Sequence, residues 1–281
     1  IGIAWSSTNI IINATNLFFK KVFVSLFPMF ILNDILIHLN IPYYFYKVFN
    51  KLFIKVFHTN GLGAYVFIMS LISGTPSNAY ILKELVINNK LSSEEASHFL
   101  MFTYFSNPLF LIVMLSTIFP YNTTIKIIII HYISNLLIAF LMRKKAPKIT
   151  NINLQKEKNS SKNILIKSIN KSMNTLLMIL GSIIFYMLLT YIVTFPILKN
   201  HLLKTILSGF LEITNGLNNL IYLETYSKIK EIIAISIISF GGLSIHTQIK
   251  SILEDTKINY SSFLKGRIIH VIVSICILAF I

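Results

Sequence analysis

Apolar runs of bilayer length recur along this chain, and they restrict its fold more than any other feature. Residues 125–142, 175–198 and 263–281 are each predominantly apolar over about the 20 residues an α-helix needs to cross a hydrocarbon core of about 30 Å. Over the whole chain only 12% of residues are charged, against about 25% in a soluble domain. So little charge cannot clothe a water-soluble body of this size, which excludes an ordinary cytosolic enzyme. The abundance of apolar residues equally excludes a disordered chain. In lipid every backbone polar group must be satisfied internally. The expected class is therefore all-α and polytopic, a multi-pass protein of the cell (inner) membrane. The single cysteine, Cys276, leaves no disulfide framework and no cysteine-based zinc site, and reads as an apolar filler.

Other runs are too short to span. The first apolar span is expected at 22–39, preceded by Lys20 and Lys21 and containing Asp34. At 42–57, Lys47, Lys51 and Lys55 recur every four residues opposite Phe45, Phe49 and Phe53, which predicts a helix lying on the membrane surface. Residues 62–73 would reach only about 18 Å as a helix. They break at Ser73, Gly74, Thr75, Pro76, Ser77 and Asn78, and a second short run covers 79–86. Two such halves predict a re-entrant hairpin. Ser92 with Glu95 forms a capping box that opens a helix expected to run to Phe119, with Asn107 and Pro108 interrupting it midway. After the span at 125–142, residues 143–171 carry nine of the 25 basic residues and predict a loop.

The second half repeats this order of parts. A span at 175–198 is followed by short runs at 202–211 and 220–226 around a break at 212–216. A longer run at 232–253 is broken at Gly241 and Gly242, and the last span is 263–281. The expected organisation is a first membrane repeat over 17–142, a basic cytoplasmic linker over 143–171 and a second repeat over 172–281. A hairpin adds no crossing, so each half crosses three times, and an odd number inverts the second half. The fold expected is thus an inverted repeat with two re-entrant hairpins and two discontinuous helices. The chain begins at Ile1, and a span before it is left open.

The net charge of +15 would suggest nucleic acid in a soluble chain. Placing 143–171 in the cytoplasm instead puts 18 basic residues inside and 7 outside, the bias expected of an oriented membrane protein. Among the latter are Lys20 and Lys21; Arg267 counts with the former. No nucleic-acid partner is expected. The expected partners are the bilayer and a small polar solute, with a homo-oligomer compatible.

Paired interrupted segments in an inverted repeat point to a secondary transporter with its site near the midplane. Gly74, Thr75, Pro76, Ser77, Asn78, Ser106 and Asn107 surround the first pair of breaks, and Glu212, Thr214, Asn215, Gly241, Gly242 and His246 the second. Neutral oxygens suit a hard cation, and a carboxylate such as Glu212 in a membrane is costly enough to suggest use. Helix capping and turn formation are the competing reading for these residues. His131 and His270 lie in plain spans and read as core hydrogen-bonding groups. No HExxH, GxSxG or P-loop pattern occurs and no nucleophile has a base partner. No enzyme, catalytic residue, metal site or cofactor is expected, beyond a coupling Na+ or H+.

Several of these segments resemble a known family. Ser73 to Ala79, Leu91 to Ala96 and Phe105 to Phe110, with Gly209 to Gly216 and Ser239 to His246 in the second half, are similar to the nucleoside-recognition Gate domain. Together they resemble the YlbJ family of sporulation integral membrane proteins over about 17–281. Where that family usually has an aromatic residue before the proline, this chain has Thr75, which removes a stacking group. The resemblance implies a bacterial membrane protein linked to spore cortex formation. It also implies a likeness to concentrative nucleoside transporters, whose hairpin tips and unwound helices hold nucleoside and sodium. The expected function is a permease for a nucleoside-like solute. The alternative is a non-transporting membrane protein that supports cortex assembly by binding partners.

Overall fold

A computed structural model describes residues 2–147, 163–197 and 200–281. Its elements are α1 (Gly2–Leu17), a π-helical turn (Phe18–Phe23), α2 (Val24–His38), α3 (Ile41–Phe57), α4 (Leu62–Ser73), α5 (Ser77–Ile87), α6 (Ser93–Leu100), α7 (Pro108–Leu115) and α8 (Tyr121–Met142). The second half comprises α9 (Ile164–Thr194), α10 (His201–Leu211), α11 (Ile213–Ile221), α12 (Ser227–Phe240), α13 (Gly242–Leu253) and α14 (Tyr260–Phe280). No strand occurs among the described residues. Five helical stretches, among them Ser7–His38 and Ser227–Ile252, are long and apolar enough to cross a bilayer. The protein is an all-α, multi-pass membrane protein.

The expected order of parts is present in both halves. Helices α4 and α5 form the first hairpin and α10 and α11 the second, and each pair packs together. Under exchange of the halves, several contacts map onto contacts. Helix α5 packs on α13 as α11 does on α7, and α6 packs on α14 as α12 does on α8. The pairs α2 with α9 and α8 with α14 map onto themselves. Helix α3 meets α4 at 93°. Lys47, Lys51 and Lys55 are exposed, whereas Phe53 is buried and Phe45 packs edge-on against Tyr65 at 5.4 Å.

Four boundaries differ from expectation. The first span does not begin at 22: helix continues from Gly2 to His38 through the π turn, so Lys20 and Lys21 lie within the span, not ahead of it. A π turn absorbs one extra residue without ending a helix, which a charge-based boundary cannot anticipate. The helix begun by the Ser92–Glu95 capping box stops at Leu100, and α7 starts only at Pro108. The residue before a proline is driven towards extended geometry, and Asn107 at φ −55°, ψ 131° starts α7 with its own side chain. The basic segment is not a loop to its end, since α9 starts at Ile164 and includes Lys167 and Lys171; residues 148–162 of that segment lie outside the described residues. The second hairpin turns at the single residue Glu212, leaving Thr214, Asn215 and Gly216 inside α11.

The ion pairs agree with the expected sidedness. Lys83 meets Asp255 at 3.0 Å and Lys171 meets Asp34 at 3.5 Å, all at ends assigned to the cytoplasm. Lys126 meets Glu231 at 2.7 Å, and Lys228 donates to the Leu278 carbonyl at 2.7 Å, all at ends assigned outside.

Candidate functional site

Helix breaks inside a membrane leave backbone groups that lipid cannot satisfy, so the partners of those groups define what each break does. In the second discontinuous helix the last four carbonyls of α12 are all occupied. Gly241, in the left-handed region at φ 88°, donates its N–H to Ile237 at 2.9 Å. The Tyr104 hydroxyl donates to Ile238 at 3.2 Å, Arg267 to Ser239 at 3.4 Å, and His246 Nε2 to Phe240 at 3.1 Å. His246 also bonds the Tyr260 hydroxyl at 2.7 Å and stacks on Phe240. It therefore seals a helix end.

The first break is sealed in the same way. The Tyr104 carbonyl accepts from Asn135, that of Phe105 from Thr75 Oγ1 at 3.1 Å, and that of Ser106 from the Tyr132 hydroxyl at 3.1 Å. The Ser106 N–H donates to His131 Nε2 at 3.1 Å. Asn107 caps α7 through Leu109 N at 2.9 Å and reaches back to Ser25 and the Ile72 carbonyl. Gly74 (φ +76°) permits this fit, since a Cβ there would stand 2.8 Å from the Asn107 nitrogen. The first hairpin tip thus rests on the first helix break. In the second half Gly242 approaches the Glu212 backbone in the same manner.

Arg267 is the largest fully buried side chain. It was expected on the cytoplasmic surface; the structure places it in the bundle. No carboxylate pairs with it among the described ion pairs. Its guanidinium instead donates to Met101 O at 2.9 Å, Ser239 O, Asn135 Oδ1 at 3.4 Å and His270 Nδ1 at 2.6 Å, and lies 4.1 Å from the Tyr104 ring centroid. Met101 and Ser239 are at the C-terminal ends of α6 and α12, where carbonyl dipoles concentrate negative potential. One tethered cation therefore neutralises the ends of both broken helices. His270 Nε2 bonds the His131 carbonyl at 3.0 Å, so Nε2 carries the proton and Nδ1 accepts from Arg267. Both histidines serve the core, as expected.

The hairpin tips and first break enclose a cavity of about 480 Å³, bounded by Thr75, Pro76, Ser106, Asn107, Glu212 and Thr214, within the usual size range of ligand sites. Its wall draws on both apolar clusters of the core, through Ile179 and Ile183 of one and Met114 and Ile213 of the other. Glu212 is buried, and its carboxylate accepts from the Asn215 N–H at 2.8 Å. Of the remaining candidates, Gly74, Ser77, Asn78, Asn215, Gly241, Gly242 and His246 lie outside the cavity wall. Ser77 accepts from Asn33 at 3.4 Å, and neither polar atom of the buried Asn78 has a hydrogen-bond partner. The wall also includes Ser73, Tyr104, Ser244, Gln248, Lys20 and Lys21. The two lysines, exposed within an apolar span, were the legible signal missed among these. No group of three or more histidine, cysteine or acidic side chains suited to a metal occurs among the described residues.

Comparison with known proteins agrees with the family resemblance. The chain is 27% identical, over 296 residues covering 91% of it and 72% of the relative, to the sporulation integral membrane protein YlbJ of Bacillus subtilis (strain 168). No protein-family model matches the chain, and no solved structure matches it.

Proposed function

We propose that this protein is a sporulation-associated secondary transporter of the inner membrane, moving a small polar, nucleoside-like solute through the cavity between its two repeats. The observation that carries the reading is the convergence of both hairpin tips and the first helix break on one cavity holding the buried Glu212. The similarity to a sporulation integral membrane protein supports the cellular setting, the YlbJ-family resemblance supports the link to cortex formation, and the Gate-domain resemblance supports the solute class. The wall suits a solute with an apolar body and a few polar groups, because it combines Ile179 and Ile183 with Glu212, Gln248 and the two lysines. Alternating access comes from the repeats moving about this point. No catalysis is part of the proposal.

The test uses purified protein in proteoliposomes, with uptake of labelled nucleosides and ligand-induced thermal stabilisation as readouts. Glu212→Gln keeps an acceptor for the Asn215 N–H but loses the charge. It is expected to fold normally and to lose about 10- to 100-fold in solute affinity, the worth of a charge-assisted hydrogen bond. Absence of both uptake and stabilisation for every nucleoside tested, with folded protein, overturns transport in favour of a partner-binding role in cortex assembly.

A further inference from the structure

Away from the cavity, a second polar cluster joins the repeats. Asp34 on α2 and Glu84 on α5 are 2% and 0% exposed, and Lys171 of α9 lies between them, contacting Glu84 and standing 3.5 Å from Asp34 Oδ1. Ser168 donates to the other Asp34 oxygen. Two carboxylates and one ammonium leave a net charge of −1; both carboxylates are buried, which disfavours their charge, while Lys171, 38% exposed, reaches towards solvent. The carboxylate oxygens Asp34 Oδ1 and Glu84 Oε1 are buried without a hydrogen-bond partner. The cluster is short of one positive charge.

We propose that this cluster is a proton-binding site, with one exchangeable proton held by the Asp34–Glu84 pair. A proton supplies the missing charge and turns an unpartnered carboxylate oxygen into a donor. A metal ion on the same oxygens would lie beside the Lys171 ammonium, whose repulsion opposes it. The position favoured for a cation at the broken-helix C-termini is itself filled by Arg267. The other titratable groups facing the pair are Tyr65, Tyr80, His38 and Lys90. His38 Nδ1 bonds the Asp34 carbonyl at 2.8 Å and lies 3.8 Å from Asp34 Oδ2, and its side chain is 25% exposed, which makes the imidazole the route to solution. Lys90 donates to the Ile37 carbonyl, and Lys83, next to Glu84, points to Asp255. The site holds the first hairpin to the first span of the other repeat, so its protonation state bears on whether they separate. Use of the proton to drive solute rests on the transporter reading; binding of the proton does not.

The test is labelling of the full chain in detergent with dicyclohexylcarbodiimide, which modifies protonated carboxyls in apolar surroundings, read by peptide mass spectrometry across pH. One modification per chain is expected, on Asp34 or Glu84, falling as pH rises and absent in the Asp34→Asn/Glu84→Gln double variant. Lys171→Met removes the cation that favours ionisation and shifts the labelling midpoint upward by about one pH unit or more. The single variants Asp34→Asn and Glu84→Gln each lower the labelling, a readout that remains if the double variant fails to fold. Absence of label on both carboxyls at every pH establishes a static ion triad and overturns the proposal. So does protection by Na+ but not by choline at constant pH, which assigns the site to a metal ion. Neither result depends on whether solute is transported.

Discussion

Gly216→Ala is expected to destabilise the protein by about 3 kcal/mol or more. The Cβ of an alanine at this position would stand 2.2 Å from the Gly209 Cα and 2.6 Å from its nitrogen. Helices α10 and α11 therefore touch backbone to backbone through two glycines, as small residues allow in membrane interfaces. Overpacking commonly costs about 1–3 kcal/mol when side chains can yield; here the opposing atoms are main chain and cannot. The hairpin they form carries Glu212, so separating the helices also displaces the cavity wall. Thermal unfolding in detergent is the measurement. Gly181→Ala on α9 is the control, since its Cβ meets nothing within 4 Å and alanine is the better helix former by about 1 kcal/mol. Equal stability of Gly216→Ala and wild type would show that the two helices do not pack this closely.

Arg267→Met is expected to lower stability by about 3–5 kcal/mol, as for several buried acceptors that lose one shared donor at about 1–3 kcal/mol each. Methionine fills much of the volume, so the loss reports polar partners and not a void. The carbonyls of Met101 and Ser239, at the ends of two different broken helices, lose the donor they share, and the side chains of Asn135 and His270 lose theirs as well. Arg267→Lys is expected to recover little, because one ammonium lacks the planar fork that reaches both helix ends while stacking on Tyr104. Amide exchange around 100–107 and 238–242 should accelerate in both variants. A midpoint for Arg267→Met within error of wild type, with unchanged exchange at the two breaks, would show that the guanidinium does not hold them.

The elements that read well from sequence share one physical property: their signal is local. A 12-residue apolar run cannot span, so the hairpin of α4 and α5 follows from length alone, and Ser92 with Glu95 starts α6 by a bond confined to one turn. Of the candidate site, Thr75, Ser106, Asn107, Glu212 and Thr214 come together at one cavity because breaks in membrane helices gather where protein can satisfy them. His246 shows the opposite case. Its position four residues beyond a break suggested a ligand contact, and only the path of α12 reveals a carbonyl within its reach.

Sequence alone therefore determined the class of this protein, its order of spans, hairpins and breaks, and the bias of its basic residues. Each depends on how far an apolar run extends or how many charges a loop carries. The tertiary structure alone decided what each charge does. Lys20 and Lys21 read as flanking charges until the π turn carried the helix past them. Arg267 and Lys171 counted simply as cytoplasmic charges, and only their helices placed one between broken helix ends and the other between Asp34 and Glu84. A charge in a membrane protein is defined by the groups facing it across a helix interface. Many of those groups lie far away along the chain, as for Lys171 and Glu84 (87 apart) or Arg267 and Met101 (166 apart).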